Sequence, residues 1–567
     1  MNKTVLSFII VVAFTVGSIF YYALKVKPDS QEVFISFAHI GDIHGHLLPR
    51  TRIKDGEKRY TEGGLARLYT IIQHLRERDS GLILINTGDT IQGSAEALFT
   101  KGEALVKVLN KFDINYYAPG NWDWLYGKKR FEELFIGENA MAQWNPLIAN
   151  VYDSHTGKHI APPFKIQTIK GVKIGFIGFT SERGPMVVGS SVIDGLRFSD
   201  GEAEFKKYVA ELRPQVDVLV VLSELGLAKN IAYAKETSGV DFIFSSDMHE
   251  ETAQAIQLAN GTVIMEEGTD GTRLGELNIL IKNGKLLGHK FKMHIINRNV
   301  PVNAEIAKLI EEVRAPFIDK EASLTFVNPF SKRHLKGPIN EVIGQADIEL
   351  TRSNYSDSKL PAVIEGSSHN FLADTFRIQS GADIGLIRGF RYGTTVKKGD
   401  IRREDIYHFI PIGPFIAVGE MSGATIKQVL ENSADGSLAK SSSNWKGGWL
   451  FGWSGLHFNL NYYDLKGARI TKVTVLDKQT GTYLPLDMDK MYSVASYNYD
   501  EEPNLINKIP ATNVKRVQND KGEDLDATEV VEDYLKEHRA KPELHRVTLV
   551  QSLPKPKYTN KEIQPLP

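Results

Sequence analysis

The stretch GDIHGHLLPR, residues 41–50, follows directly on the apolar run VFISFAHI, residues 33–40. The run has the length and the β-branched and aromatic character of a buried strand, and the glycine after it marks its end. Asp42 and His44 therefore stand two positions apart just past a strand. Two readings of the pair are open: metal ligands, or a hydrogen-bonded turn in which Asp42 caps the next segment. The choice depends on whether further ligand-type residues arrive at other strand ends.

Similar runs recur along the first half of the chain. GLILINTGD (81–89), GVKIGFIGF (171–179), VDVLVVLSE (216–224) and VDFIFSSD (240–247) are short, apolar and closed by polar or glycine residues. Between them lie the helical patterns GGLARLYTIIQHLRER (63–78) and AEALFTKGEALVKVLNKF (95–112), each expected as a helix. Strands alternating with helices predict an α/β domain over 33–298, with functional residues at the carboxyl ends of the strands. NAEIAKLIEEVRAPFIDK (303–320) reads as a helix broken at Pro316, within a linker spanning 299–338. A second α/β domain is expected over 339–550, and a proline-rich, disordered tail over 551–567.

Polar residues collect where the strands end. Asp89 closes INTGD, Asn121 follows YYAPG, Glu224 closes VLSE, and Asp247 and His249 close FSSDMH. Each alone is explained as a helix cap, a turn residue or a structural histidine. Together with Asp42 and His44 they recur at five strand ends, and recurrence favours a metal site.

Composition narrows the classes. The 567 residues exceed one hydrophobic core, so two or more domains are expected. A formal net charge of −1 gives no nucleic-acid footprint over the whole chain. The absence of cysteine excludes disulfides, thiolate ligands, a cysteine nucleophile and a lipidated N-terminal cysteine. Val5–Leu24 is 20 residues without a charge, flanked by Lys3, Lys25 and Lys27. That length spans a bilayer as a helix, and no A-x-A cleavage site follows. A signal anchor over residues 1–30 is expected, holding an exported protein on the periplasmic side of the inner membrane, with secretion after cleavage as the alternative.

The motifs GDIHGHLLP, GGLARL, NTGDTIQGSAEALFTKG, GNWDWLYG, LIANV, SELG, SDMH and HNFLADTFR resemble the metallophosphoesterase superfamily. The resemblance is to its 5′-nucleotidase branch, which includes the SoxB-type sulfate thiohydrolases, and it runs from about residue 34 to 550. It implies a two-metal hydrolase domain followed by a 5′-nucleotidase-type C-terminal domain. One metal would take Asp42, His44 and His249, Asp89 would bridge, and the other would take Asn121, Glu224 and Asp247. Two cations sharing a carboxylate generate hydroxide near neutral pH and polarise a phosphoryl or sulfonyl oxygen.

Several positions depart from the family pattern. Members commonly carry histidine where this chain has Glu224 and Asp247, so the second site becomes all oxygen. That favours manganese, with iron or magnesium next, over zinc. Trp122 replaces the histidine of a Gly-Asn-His-Glu signature and cannot donate a mobile proton. The nucleotidases' base clamp is altered too: PIGP (411–414) places Ile412 where a phenylalanine would stack, and no Gly-Gly-Asp-Gly follows Tyr497 or Tyr499. GFRYGTTV (389–396) and EMSGATIKQVLENSAD (420–435) look like SoxB, and Arg391, with Arg388, fits the family's anion-binding arginine. The expected function is therefore SoxB-like: release of sulfate from a thiosulfonate on a sulfur-carrier protein's cysteine, or hydrolysis of a similar small anion. Alternatives are a 5′-nucleotidase or other phosphoesterase, and a non-catalytic member that binds an anion or a protein.

Overall fold

Val33–Ile40 buries six consecutive residues, and Ile83–Asn86, Val218–Ser223 and Phe242–Ser245 are buried throughout. Such runs form central strands covered on both faces, which is why they lack a polar alternation. The computed structural model describes residues 32–54, 58–249, 251–351, 364–388, 395–439, 444 and 450–552. The expected anchor over 1–30, Arg391, and all but two residues of the expected tail lie outside them. Among the described residues no helix is long and apolar enough to cross a membrane.

The first domain is a sandwich of two sheets. In one, Val33–Ile40 pairs in parallel with Ile83–Asn86, which pairs in parallel with Tyr116–Tyr117. The long strands Arg273–Lys282 and Lys285–Ile295 extend the other edge antiparallel. In the second sheet Val172–Phe179, Val218–Ser223, Phe242–Ser245 and Val263–Glu266 run parallel. Ile35, Phe37, Ile85, Phe176, Val220 and Phe244 interlock between the sheets, and helices cover both outer faces.

Two expected helices differ in detail. The pattern over 95–112 is split into Ala95–Phe99 and Glu103–Leu109. The break is at Gly102, whose φ of 86° only glycine adopts freely, and where a Cβ would meet the Ile91 side chain. Conversely, Ala304–Ile318 runs through Pro316 unbroken. Pro316 lies in its last turn and forfeits a single backbone bond, while Ile306, Ile310, Val313 and Phe317 bury the face that holds the helix in place.

The second domain centres on a five-stranded sheet in which Met491–Asn498 lies between Ile384–Ile387 and Phe415–Ser422. Helices Ser367–Ser380, Arg403–Phe409 and Ala527–Glu537 pack one face; Gly423–Ser437 and a four-stranded sheet pack the other. The domains meet through a small core of Ala95, Leu98, Phe317, Leu335, Ile339 and Tyr407. Arg314 ties them further, pairing with Glu96 at 2.6 Å and also with Glu404.

Candidate metal centre

Because the central strands of each sheet run parallel, their carboxyl ends open on one edge of the sandwich. Asp42, His44 and Asp89 come from the first sheet and His249 from the second. Their ligand atoms all lie within 4.8 Å of one another, and all four residues are buried. His44 Nε2 and His249 Nε2 face each other at 2.8 Å, with Asp42 Oδ1 at 3.7 Å from the first and 3.5 Å from the second. Asp89 Oδ2 is 3.7 Å from His44 Nε2. Two imidazole nitrogens and two carboxylates converging on one buried point form the donor set of a divalent cation.

Neighbouring groups fix these donors. Gln92 Oε1 accepts from His44 Nδ1 at 3.2 Å, which leaves Nε2 as the lone-pair donor facing the centre. The Asp42 amide donates to Gly88 O and the His44 amide to Asp89 O, each at 2.9 Å, so the first two ligand loops are laced together. Asp89 Oδ1 accepts from the Trp122 amide at 2.7 Å. That contact needs Gly120, where a Cβ would stand 2.1 Å from Asp89 Oδ1. Asp42, His44, Asp89, Asp247 and His249 all adopt positive φ, between 44° and 89°. Backbone strain of this kind concentrates at functional sites.

The remaining expected ligands stand on the far side. Glu224 is fully buried, and neither of its carboxylate oxygens has a hydrogen-bond partner among the described residues. Burial pushes its carboxyl well above the ordinary value; Asp89, Asp42 and Asp123 push it further, and Arg183 acts the other way. An orphaned buried carboxylate beside other carboxylates fits a cation. Asn121 Oδ1 is likewise buried with no hydrogen-bond partner among the described residues, whereas Asp247 is engaged: Asn121 Nδ2 donates to its Oδ1 at 2.9 Å and Arg183 Nη2 to its Oδ2.

Three residues at the site have no role in the sequence reading, although Gln92 and Asp123 lie inside the motifs NTGDTIQGSAEALFTKG and GNWDWLYG. Asp123 accepts from the amides of Thr90, Ile91 and Gly120 and from the Tyr117 hydroxyl at 2.6–3.1 Å, pinning the Asp89 loop to the Asn121 loop. Its place two residues after Asn121 was the available clue. Gln92 follows Asp89 by three positions. Arg183 lies past the strand Val172–Phe179, whose end, like that of Val263–Glu266, carries none of the expected ligands.

A cavity of about 250 Å³ opens from the centre to the second domain. Asp89, Asn121, Trp122, Asp247, His249 and Arg183 form its polar floor; Phe409, Ile412, Tyr497 and Tyr499 form an apolar wall, with Arg388 at the side. Arg388 donates to Asn507 O at 3.3 Å and lies over the Phe451 ring. Burial raises the Tyr499 hydroxyl to about 12, so it stays neutral. The HNFLADTFR motif is not part of this cavity. Its Asp374 accepts two bonds from Arg546 and its Arg377 donates to Ser454, so it serves the second domain's packing.

Comparison with known proteins agrees with this geometry. Residues 35–251 match the calcineurin-like phosphoesterase family and residues 342–502 the 5′-nucleotidase C-terminal domain. The chain is thus a metal-dependent hydrolase of the metallophosphoesterase/5′-nucleotidase family. It is 23% identical over 529 residues to the NAD 5′-nucleotidase of Haemophilus influenzae, covering 84% of this chain and 85% of that protein. It is 23% identical over 435 residues to a 5′-nucleotidase of Vibrio cholerae, covering 70% and 75%. Two solved structures from Thermus thermophilus share the fold at a TM-score of 0.75. A 5′-nucleotidase precursor is 21% identical, covering 92% of this chain and all of that one. The sulfate thiohydrolase SoxB is 19% identical, covering 91% and 97%.

Proposed function

We propose that this protein hydrolyses a small phosphate ester of nucleotide type, in preference to the SoxB-like reaction that the motifs first suggested. The observation that carries the reading is the single cavity joining the buried Asp42, His44, Asp89 and His249 cluster to a wall containing Tyr497 and Tyr499. An ester places its phosphoryl group at the floor and its organic group on that wall. The nucleotidase relatives, similar over most of their length, support the same choice. Asp42, His44, Asp89 and His249 would hold a divalent cation, which would supply Lewis acidity when bound. The chain's own residues do the rest. Gln92 holds the His44 tautomer, Asp123 and the Trp122 amide hold the Asp89 loop, and Arg388 offers donors to the phosphoryl oxygens.

Manganese, or else iron or magnesium, is the ion we favour, because carboxylates outnumber imidazoles around the centre. The altered clamp predicts weak hold on the base. Stacking is worth roughly 1–3 kcal/mol per base in single-strand binding proteins, so Ile412 in place of an aromatic costs roughly 5-fold to 150-fold in affinity for AMP. A thiosulfonate remains the second reading, favoured by that same Ile412. A panel of AMP, NAD, an aryl phosphate and a protein-linked thiosulfonate separates the two. Metal-dependent phosphate release with little sulfate supports the phosphoesterase; sulfate release as the dominant activity refutes it.

A further inference from the structure

Asp247 closes the strand Phe242–Ser245, yet the tight donor cluster is Asp42, His44, Asp89 and His249 without it. Its two oxygens are occupied otherwise, one by Asn121 Nδ2 and the other by Arg183 Nη2. Its backbone amide donates to Asp42 Oδ2 at 3.1 Å, so the main chain at this position supports a ligand while the side chain is paired with Arg183 and Asn121. The Asp247 side chain is about 1% exposed and that of Arg183 about 30%, so the pair is buried at the aspartate end and open to the cavity at the guanidinium end. A metal-ligating histidine at 247 would have only an N–H left to offer and could not accept from Arg183; an aspartate can.

The loop that carries Arg183 is itself held. Met186 and Val187 line the same cavity, and Lys508 of the second domain donates to Met186 O at 2.7 Å. Arg183 and Arg388 thus bring guanidinium groups from opposite domains to one cavity beside the metal cluster. Arg183 also donates from Nε to Ser181 Oγ at 3.5 Å and from Nη2 to Met248 Sδ at 3.1 Å; the planar guanidinium fork, with five N–H donors, matches a tetrahedral oxyanion.

We infer that Arg183 binds the substrate's anionic oxygens, and that Asp247 is the carboxylate that positions this arginine rather than a metal ligand. The inference rests on the hydrolase reading of the site and adds to it a substrate contact supplied by the first domain.

Three measurements on the full chain test it. Asp247→Asn keeps the amide geometry and removes the charge; the expected result is an unchanged number of metal ions per chain by elemental analysis. Loss of an ion in this variant overturns the assignment. Arg183→Met should raise KM for an aryl phosphate, and weaken calorimetric binding of inorganic phosphate, by roughly 10-fold to 100-fold. Arg183→Lys should recover only part of this, since a point charge lacks the fork. The double variant should lose no more than Arg183→Met alone, because the aspartate acts through the arginine. Unchanged phosphate binding in Arg183→Met overturns the proposal. Phosphate binding is read without turnover. A wild type that binds phosphate through Arg183 but cleaves no ester therefore refutes the proposed reaction and leaves this assignment standing.

Discussion

On one side of the centre, Asp42, His44 and His249 turn their donor atoms toward a shared point, and Gln92 and the lacing amides keep them there. On the other side, Glu224 presents two oxygens with no hydrogen-bond partner among the described residues, while Asp247 is paired with Arg183. Asp89 stands between the two. The first side is complete as a ligand set; the second mixes an orphaned carboxylate with a satisfied one. The two sides of one site thus differ in what their side chains engage: one converges on a single cation position, and the other is partly paired with an arginine of the cavity.

The largest effect is expected where the two sides join. Asp89→Asn removes a charge from the centre and disturbs the contact with the Trp122 amide. Several kcal/mol of transition-state stabilisation come from such an ion, so kcat/KM should fall by about 10³-fold or more, with metal lost on dialysis. Retention of full metal content would break the comparison, because Asp89 would then belong to neither side.

A smaller effect separates the sides by stability. In metal-free protein the folded-state pKa of Glu224 lies above its unfolded value of 4.5. The associated stability is fully present below 4.5 and is lost as pH rises through the raised folded value. Glu224→Gln should therefore melt roughly a few degrees higher than wild type at alkaline pH, as expected from relieving about 1–3 kcal/mol of unmet burial, and no higher at pH 4. With metal present the order should reverse. Identical melting curves across pH in the metal-free proteins would show that Glu224 is solvated and no part of the centre.

The smallest change is expected at Trp122. Its contact with Asp89 is through the backbone amide, so Trp122→Phe should alter kcat by less than about threefold, under about 0.7 kcal/mol. A loss of two orders of magnitude would give the indole itself a role in the reaction.

Much of this was legible in the sequence, for a physical reason. Strands buried on both faces must be apolar throughout, and ligands must follow them, so Asp42, His44, Asp89, Asn121, Glu224, Asp247 and His249 could all be placed at strand ends. What could not be read was partner choice. Whether Asp247 faces a cation or a guanidinium depends on Arg183, 64 residues earlier in the chain, and no local pattern links the two. The helix boundaries failed for a similar reason: the chain breaks at Gly102, whose φ of 86° leaves the helical region and where Ile91 leaves no room for a Cβ, and Pro316 fails to stop a helix because burial of its neighbours outweighs a single lost bond.

The five positive-φ residues around the centre have an energetic consequence. Each position is one where glycine would relax the main chain, and each holds a side chain instead. At on the order of 1 kcal/mol apiece, they hold roughly 5 kcal/mol of local frustration, against the total of about 5–15 kcal/mol that keeps a typical protein folded. Glycine at these positions would relax the main chain but strip the hydrogen bonds that Asp42, His44, Asp89 and Asp247 make, so the strain is held in place by the same side chains that build the site.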